Sequence, residues 1–172
     1  MRPVEARIVI SAPREDLFDF IADVGARPAW HDHYLKDFRL TRVNPVGVGA
    51  GAAFLIDAPL FPQRAEFQIV DAQRPRLIVE RGRIGRFGRT TGWVEWELSS
   101  EYGATEVTMT AWSEPGIRWD GFKESLGARG WLKRRQRGAL RRLRMVFEER
   151  PDRPLARATI AGYEPLKAAR FG

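Results

Sequence analysis

The chain has 172 residues, 44% of them hydrophobic and 11% aromatic, enough for one domain with its own core and too apolar for a disordered segment. Cysteine is absent, which removes disulfides and thiolate metal sites. No apolar run approaches the ~20 residues of a membrane-crossing helix, and the first residues lack a signal-peptide core, so a cytoplasmic location is expected. The net charge is +7. Eight basic residues stand between Arg129 and Arg144 with no acid among them, whereas the other 21 basic residues face all 22 acidic ones. The positive field therefore belongs to one segment.

Val4 to Ile10 alternates and is rich in β-branched residues, the pattern of a strand. Ser11-Ala12-Pro13 then opens a helix, with Glu15 and Asp16 suited to the positive end of its dipole. Leu17, Phe20, Ile21 and Val24 share one face, Phe18 flanks it, and Gly25 is expected to end the helix in the left-handed conformation. Pro28 and Trp30 fall in a second short helix or turn. From there the period is two. Strands are expected at 36–43, 52–57, 64–71, 76–82, 90–99 and 106–112, linked by short stretches of Gly, Pro and other turn residues, hence an antiparallel meander. Val94, Trp96 and Leu98 alternate with Glu95 and Glu97. Val107, Met109 and Ala111 alternate with Glu106, Thr108 and Thr110, so one face of the sheet is covered and the other meets water.

The helical period returns from about 122 to 149. Leu132, Ala139 or Leu140, Leu143, Val146 and Phe147 make the apolar seam and the basic residues take the remaining surface. Gly127, Gly130 and Gly138 each weaken a helix interior by ~1 kcal/mol against alanine, and mark a kink or a close approach to the backbone. Pro151 stops the helix. The domain is therefore expected over residues 1–150. Residues 151–172 read as a tail, docked or partly mobile, with a possible strand at 158–161 and anchors at Tyr163, Leu166 and Phe171.

The order strand, helix pair, six-strand meander and long helix comes with particular residues. These are the run from Val9 through Ser11-Ala12-Pro13 to Phe20-Ile21-Ala22-Asp23, then Pro28-Ala29-Trp30, Val46-Gly47-Val48-Gly49 and Gly103-Ala104-Thr105-Glu106-Val107-Thr108-Met109-Thr110. Over residues 4–149 the chain resembles the polyketide cyclase/dehydrase and lipid-transport superfamily, also called SRPBCC, START-like or Bet v 1-like. The resemblance implies an α+β helix-grip fold, a curved antiparallel sheet of about seven strands around a long C-terminal helix, with two short helices between strands 1 and 2. It also implies an apolar cavity between sheet and helix that holds a small hydrophobic molecule of lipid or polyketide type. It supplies no ligand identity and no catalytic motif, since function belongs to the site and not to the fold.

Within such a cavity the expected ligand-binding residues are Trp30, His31, Tyr34, Phe67, Val94, Trp96, Met109 and Leu132. A cyclase or dehydratase would need a general acid or base inside, and His31, His33, Tyr34, Asp57, Glu80 and Arg81 are the candidates. The balance favours binding over catalysis, with no cofactor. Gly47-Val48-Gly49-Ala50-Gly51 has the glycine spacing of a dinucleotide fingerprint, but a strand follows where that motif needs a helix, so a hairpin is the better reading. Trp30-His31-Asp32-His33 holds both histidines, yet the spacing demands no third metal ligand, and no metal is expected. The basic helix face is either a solvated face or an anionic-membrane surface formed by Lys133, Arg134, Arg137 and Arg141. Nucleic acid is not expected, because no recognised module or exposed aromatic platform accompanies the charge. The chain reads equally as a monomer or a homodimer.

Overall fold

The computed structural model describes residues 1–59, 62–85, 87–114, 128–149 and 154–162. Strand β1 (Val4–Ile10) leads into α1 (Arg14–Ala22), a 3-10 turn (Val24–Ala26) and α2 (Pro28–His31). Strands β2 (Leu35–Leu40), β3 (Gly51–Ile56), β4 (Gln63–Gln73), β5 (Leu77–Ile84), β6 (Thr90–Glu101) and β7 (Ala104–Glu114) follow, and then helix α3 (Ala128–Glu148). The strands form one antiparallel sheet in the order β1-β7-β6-β5-β4-β3-β2. Short connections produce the meander. Tyr102 and Gly103 join β6 to β7 with φ of 43° and 85°, the two positive values that a two-residue hairpin of matching twist requires. The curled sheet and the helices packed on its inner face make an α+β helix-grip fold.

Several boundaries differ from the sequence pattern for local reasons. Strand β2 ends at Leu40 and not at Val43, and its register against β3 shifts between Lys36 and Arg39. Asp37, at φ 50°, sits in that bulge, so Leu35, Phe38 and Leu40 all remain buried. Helix α1 stops at Ala22. Gly25 does not end it in the left-handed conformation: the Asp23 carboxylate accepts from Gly25 N at 3.0 Å and starts the 3-10 turn instead. The expected helix start near 122, Gly127 and Pro151 lie outside the described residues, as do Tyr163, Leu166 and Phe171.

Helix α3 buries Gln136, Ala139, Leu140, Leu143 and Val146. Phe147 meets Phe20 edge to face at 5.4 Å. Gly138 is a place of close approach, since a Cβ there would lie 3.0 Å from His33 Nε2, whereas Gly130 faces open space. Residues 154–162 lie against the domain. Ala158 N donates to Gly25 O at 2.8 Å, Leu40 N donates to Thr159 O at 2.9 Å, and Arg157 pairs with Asp23 at 2.7 Å. They form no strand; a single bridge joins Thr159 to Gly162.

The cross-strand register orders the inner face by size. One row runs Ile78–Trp96–Met109, the next Glu80–Val94–Ala111, and the next Gly82–Gly92–Ser113. The first row and its neighbours Leu98 and Val107 are packed under α1 and α3. By the third row the side chains have nearly vanished. Phe67, opposite Gly82, lays its ring in the vacated place: a Cβ on Gly92 would come within 2.6 Å of Phe67 Cζ and 2.7 Å of Ile84 Cδ1. Glycine is therefore required in the row by the ring that crosses it. Gly92→Val is expected to lower the free energy of unfolding by about 1–3 kcal/mol in urea denaturation. The loss should be clearly smaller in a Phe67→Ala background, and equal losses in the two backgrounds would show that the ring is not what reserves the site.

Candidate ligand cavity

Between the small-residue end of the sheet and the first turns of α3 lies a cavity of about 390 Å³, within the ~300–1,000 Å³ of small-molecule sites. Its walls are mainly apolar. Phe38, Phe54 and Phe67 stack in series on β2, β3 and β4, with centroids 5.3 and 5.9 Å apart. Ile56, Ile69, Val94, Met109 and Ala111 continue the sheet side, while Trp131 and Leu132 close the helix side. Exposed Pro59 and Arg134 are among the lining residues and mark its outer end.

The inner end is polar. Arg27 and Glu80 are 6% and 7% exposed and pair at 2.7 Å. Glu80 Oε1 also accepts from Trp96 Nε1 at 2.8 Å, and Arg27 Nη2 donates a second bond to Ile21 O at 3.1 Å. The guanidinium stands over the rings of Trp30 and Trp96, 5.3 and 5.2 Å from their centroids. Each charge is thus compensated, as burial requires. His31 and Tyr34 complete this end, their rings 5.5 Å apart. Burial holds the His31 imidazole neutral, its pKa well below the ordinary value, with the nearby Arg27 charge acting in the same direction. Burial also pushes the Tyr34 phenol up. Neither the His31 ring nor the Tyr34 hydroxyl makes a hydrogen bond among the described residues, and His31 Nδ1 is fully enclosed.

Of the eight residues expected to meet a ligand, His31, Tyr34, Phe67, Val94, Met109 and Leu132 line this space. Trp30 and Trp96 do not. Both are fully buried one layer behind, edge to face at 5.3 Å, and they support the ion pair. Among the acid–base candidates, Glu80, His31 and Tyr34 face the cavity; Asp57 is exposed, and exposed Arg81 lies over the Trp93 ring at 5.2 Å. His33 bonds through Nε2 to Arg135 O at 3.1 Å, and Asp32 pairs with Arg142, so this loop is fastened to α3. No three His, Cys, Asp or Glu side chains converge among the described residues. The Gly47–Gly49 loop runs into β3, with φ of 76° and 91° at the two glycines. Lys133, Arg134, Arg137 and Arg141 are exposed, and none makes an ion pair among the described residues.

Arg27, Phe38, Phe54 and Trp131 belong to the site without having been singled out by sequence. Arg27 follows no periodic pattern. Glu80 did leave a signal, because it stands in phase with Ile78 and Gly82 on the covered face, where a carboxylate needs a partner.

Residues 1–148 match the family described as polyketide cyclase / dehydrase and lipid transport. A comparison with functionally curated proteins finds no match. Among solved structures the chain is similar to TTHA0849 from Thermus thermophilus, with 17% identity over 87% of this chain and 99% of that one and a TM-score of 0.65. It is also similar to the KanY protein, with 17% identity, 85% and 97% coverage and a TM-score of 0.70. Ginseng major latex-like protein 151 from Panax ginseng shares 11% identity over 85% and 97% of the chains, with a TM-score of 0.65. At such identities these likenesses speak for the fold alone.

Substitution and titration both probe the inner end. Glu80→Ala leaves the Arg27 charge buried and unpaired and should cost about 3–5 kcal/mol in denaturant unfolding, while Arg27→Met with Glu80→Leu together should cost less; equal losses would contradict the pairing. His33 protonates near 6.5 when unfolded but only near 4 when folded, chiefly because burial disfavours the cation. Between those values the unfolded state binds more protons, so stability falls as pH drops through that window. His33→Asn should make that decline shallower, and an unchanged slope in stability-versus-pH measurements would rule out the histidine as a source of it.

Proposed function

Because the chain belongs to the polyketide cyclase/dehydrase and lipid transport family, we propose that it binds a small hydrophobic ligand, of lipid or polyketide-like aromatic type, between the sheet and α3. The carrying observation is the 390 Å³ space whose sheet and helix walls are almost wholly apolar and aromatic. Flat or greasy molecules suit such walls, since burying apolar area yields roughly 25 cal/mol per Å². Solvent extraction of the purified protein followed by mass spectrometry is expected to yield a bound apolar compound, and a panel of lipids and aromatics should raise the melting temperature. Ala111→Phe, which fills the cavity from β7, should abolish those shifts while the protein stays folded. An empty extract together with no shift from any panel member would count decisively against the reading.

A catalytic reading takes its support from Glu80, His31 and Tyr34, three proton-exchanging groups at one end of the cavity. It requires turnover: mass spectrometry after incubation with a polyketide-type substrate would have to show a product lacking water or newly cyclised, and one that is lost in Tyr34→Phe.

Lys133, Arg134, Arg137 and Arg141 support loading from an anionic membrane, with Arg134 both exposed and at the cavity's outer end. Each such cation contributes ~1 kcal/mol near an anionic surface. Sedimentation with phosphatidylserine vesicles at low salt is expected for the wild type and not for the Lys133→Glu/Arg137→Glu/Arg141→Glu variant. No wild-type sedimentation at low salt would remove this part of the proposal.

A further inference from the structure

The inner end of the cavity is electrically balanced, but its carboxylate, Glu80, receives donors on one oxygen alone among the described residues. Arg27 places Nη2 on Ile21 O and Glu80 Oε1 and its face on Trp30 and Trp96, while its Nε is enclosed without a partner among the described residues. Glu80 Oε1 receives two donors, from Arg27 and Trp96, whereas no described residue donates to Oε2, although Glu80 lines the cavity. Tyr34 stands close by with a hydroxyl that has a proton to give, and His31 offers a neutral ring. No uncompensated cation faces the space at this end.

Ligand groups fit this arrangement unequally. A carboxylate would lose its water beside Glu80 with no free positive charge to receive it, the most costly kind of burial. A ketone could accept from Tyr34 but would leave Glu80 Oε2 without a donor. A hydroxyl both donates to Glu80 and accepts from Tyr34. Sites built around a hydroxyl discriminate strongly against analogues lacking it, because their own polar groups are then left unpaired.

Building on the apolar-ligand reading above, we propose that Glu80, Tyr34 and His31 select an uncharged, hydroxyl-bearing ligand, a phenol or alcohol on an apolar body, and exclude the corresponding carboxylate. The specificity lies in a buried carboxylate that is only half satisfied by its own protein.

The test uses three fluorescent probes of one shape: hydroxyanthracene, anthracenecarboxylate and anthracene, titrated into the full chain at neutral pH. Hydroxyanthracene should bind about tenfold tighter than anthracene, the worth of one hydrogen bond to a charged acceptor, and anthracenecarboxylate weakest of the three. Tyr34→Phe, which leaves the ion pair untouched, should weaken hydroxyanthracene about threefold to tenfold and leave anthracene unchanged. Glu80→Gln frees the Arg27 charge and should narrow or invert the preference against the carboxylate. Anthracenecarboxylate binding as tightly as hydroxyanthracene to the wild type would overturn the selection while leaving the apolar-ligand reading intact. Equal weakening of anthracene and hydroxyanthracene by Tyr34→Phe would do the same. Binding of none of the three would remove the apolar-ligand reading, and the selection with it.

Discussion

A buried carboxylate organises the interior. Glu80 sits on the covered face of β5, where an unpaired anion is not tolerated, and its two donors come from different parts of the chain. Arg27 comes from the turn that joins α1 to α2, and Trp96 from the neighbouring strand. The pair therefore ties the helical segment to the middle of the sheet. On one side of it the rows of large side chains, Ile78–Trp96–Met109 and Leu98–Val107, are packed under α1 and α3. On the other side the rows shrink to Val94–Ala111 and Gly82–Gly92–Ser113, and the interior is left hollow.

That gradient of size explains how one sheet can provide both a core and a site. Hydrophobic burial at the packed end supplies the stability, while the hollow end gives up contacts that a filled core would have made. Phe38, Phe54 and Phe67 partly compensate by stacking on one another along the wall. Phe67 rests on glycines, so an aromatic surface is presented to the cavity without filling it. Residues 154–162 add a clamp between the turn after α1 and the end of β2, bonded to Gly25 and to Leu40.

Much of this could be read from the residues in order. The alternation of β6 and β7 is plain because their outward positions are Glu and Thr, and the same phase identifies Val94, Met109 and Ala111 as inward. The hollow itself was implied only by family resemblance, since apolar alternation looks the same over a filled core. Trp30 and Trp96 illustrate that limit: an inward tryptophan does not declare whether it borders a cavity or stands behind its wall. Asp37 hid the end of β2, because a bulge breaks the period of two that reveals a strand. Arg27 left no trace, since its partner lies 53 residues away and neither neighbour predicts its burial. Gly138 was readable as a close approach, but that His33 fills it depends on how α2 and its loop meet α3.

What matters most is whether the space beneath the small-residue rows takes up an apolar molecule. Methyl resonances of Ile56, Ile69, Val94 and Met109, which line that space, can be followed during titration with anthracene beside those of exposed Val9 and Val43. The lining methyls are expected to shift together and to saturate at one ratio, with Val9 and Val43 unmoved. Lining methyls that stay in place while anthracene either remains free or perturbs only the outer valines would contradict it.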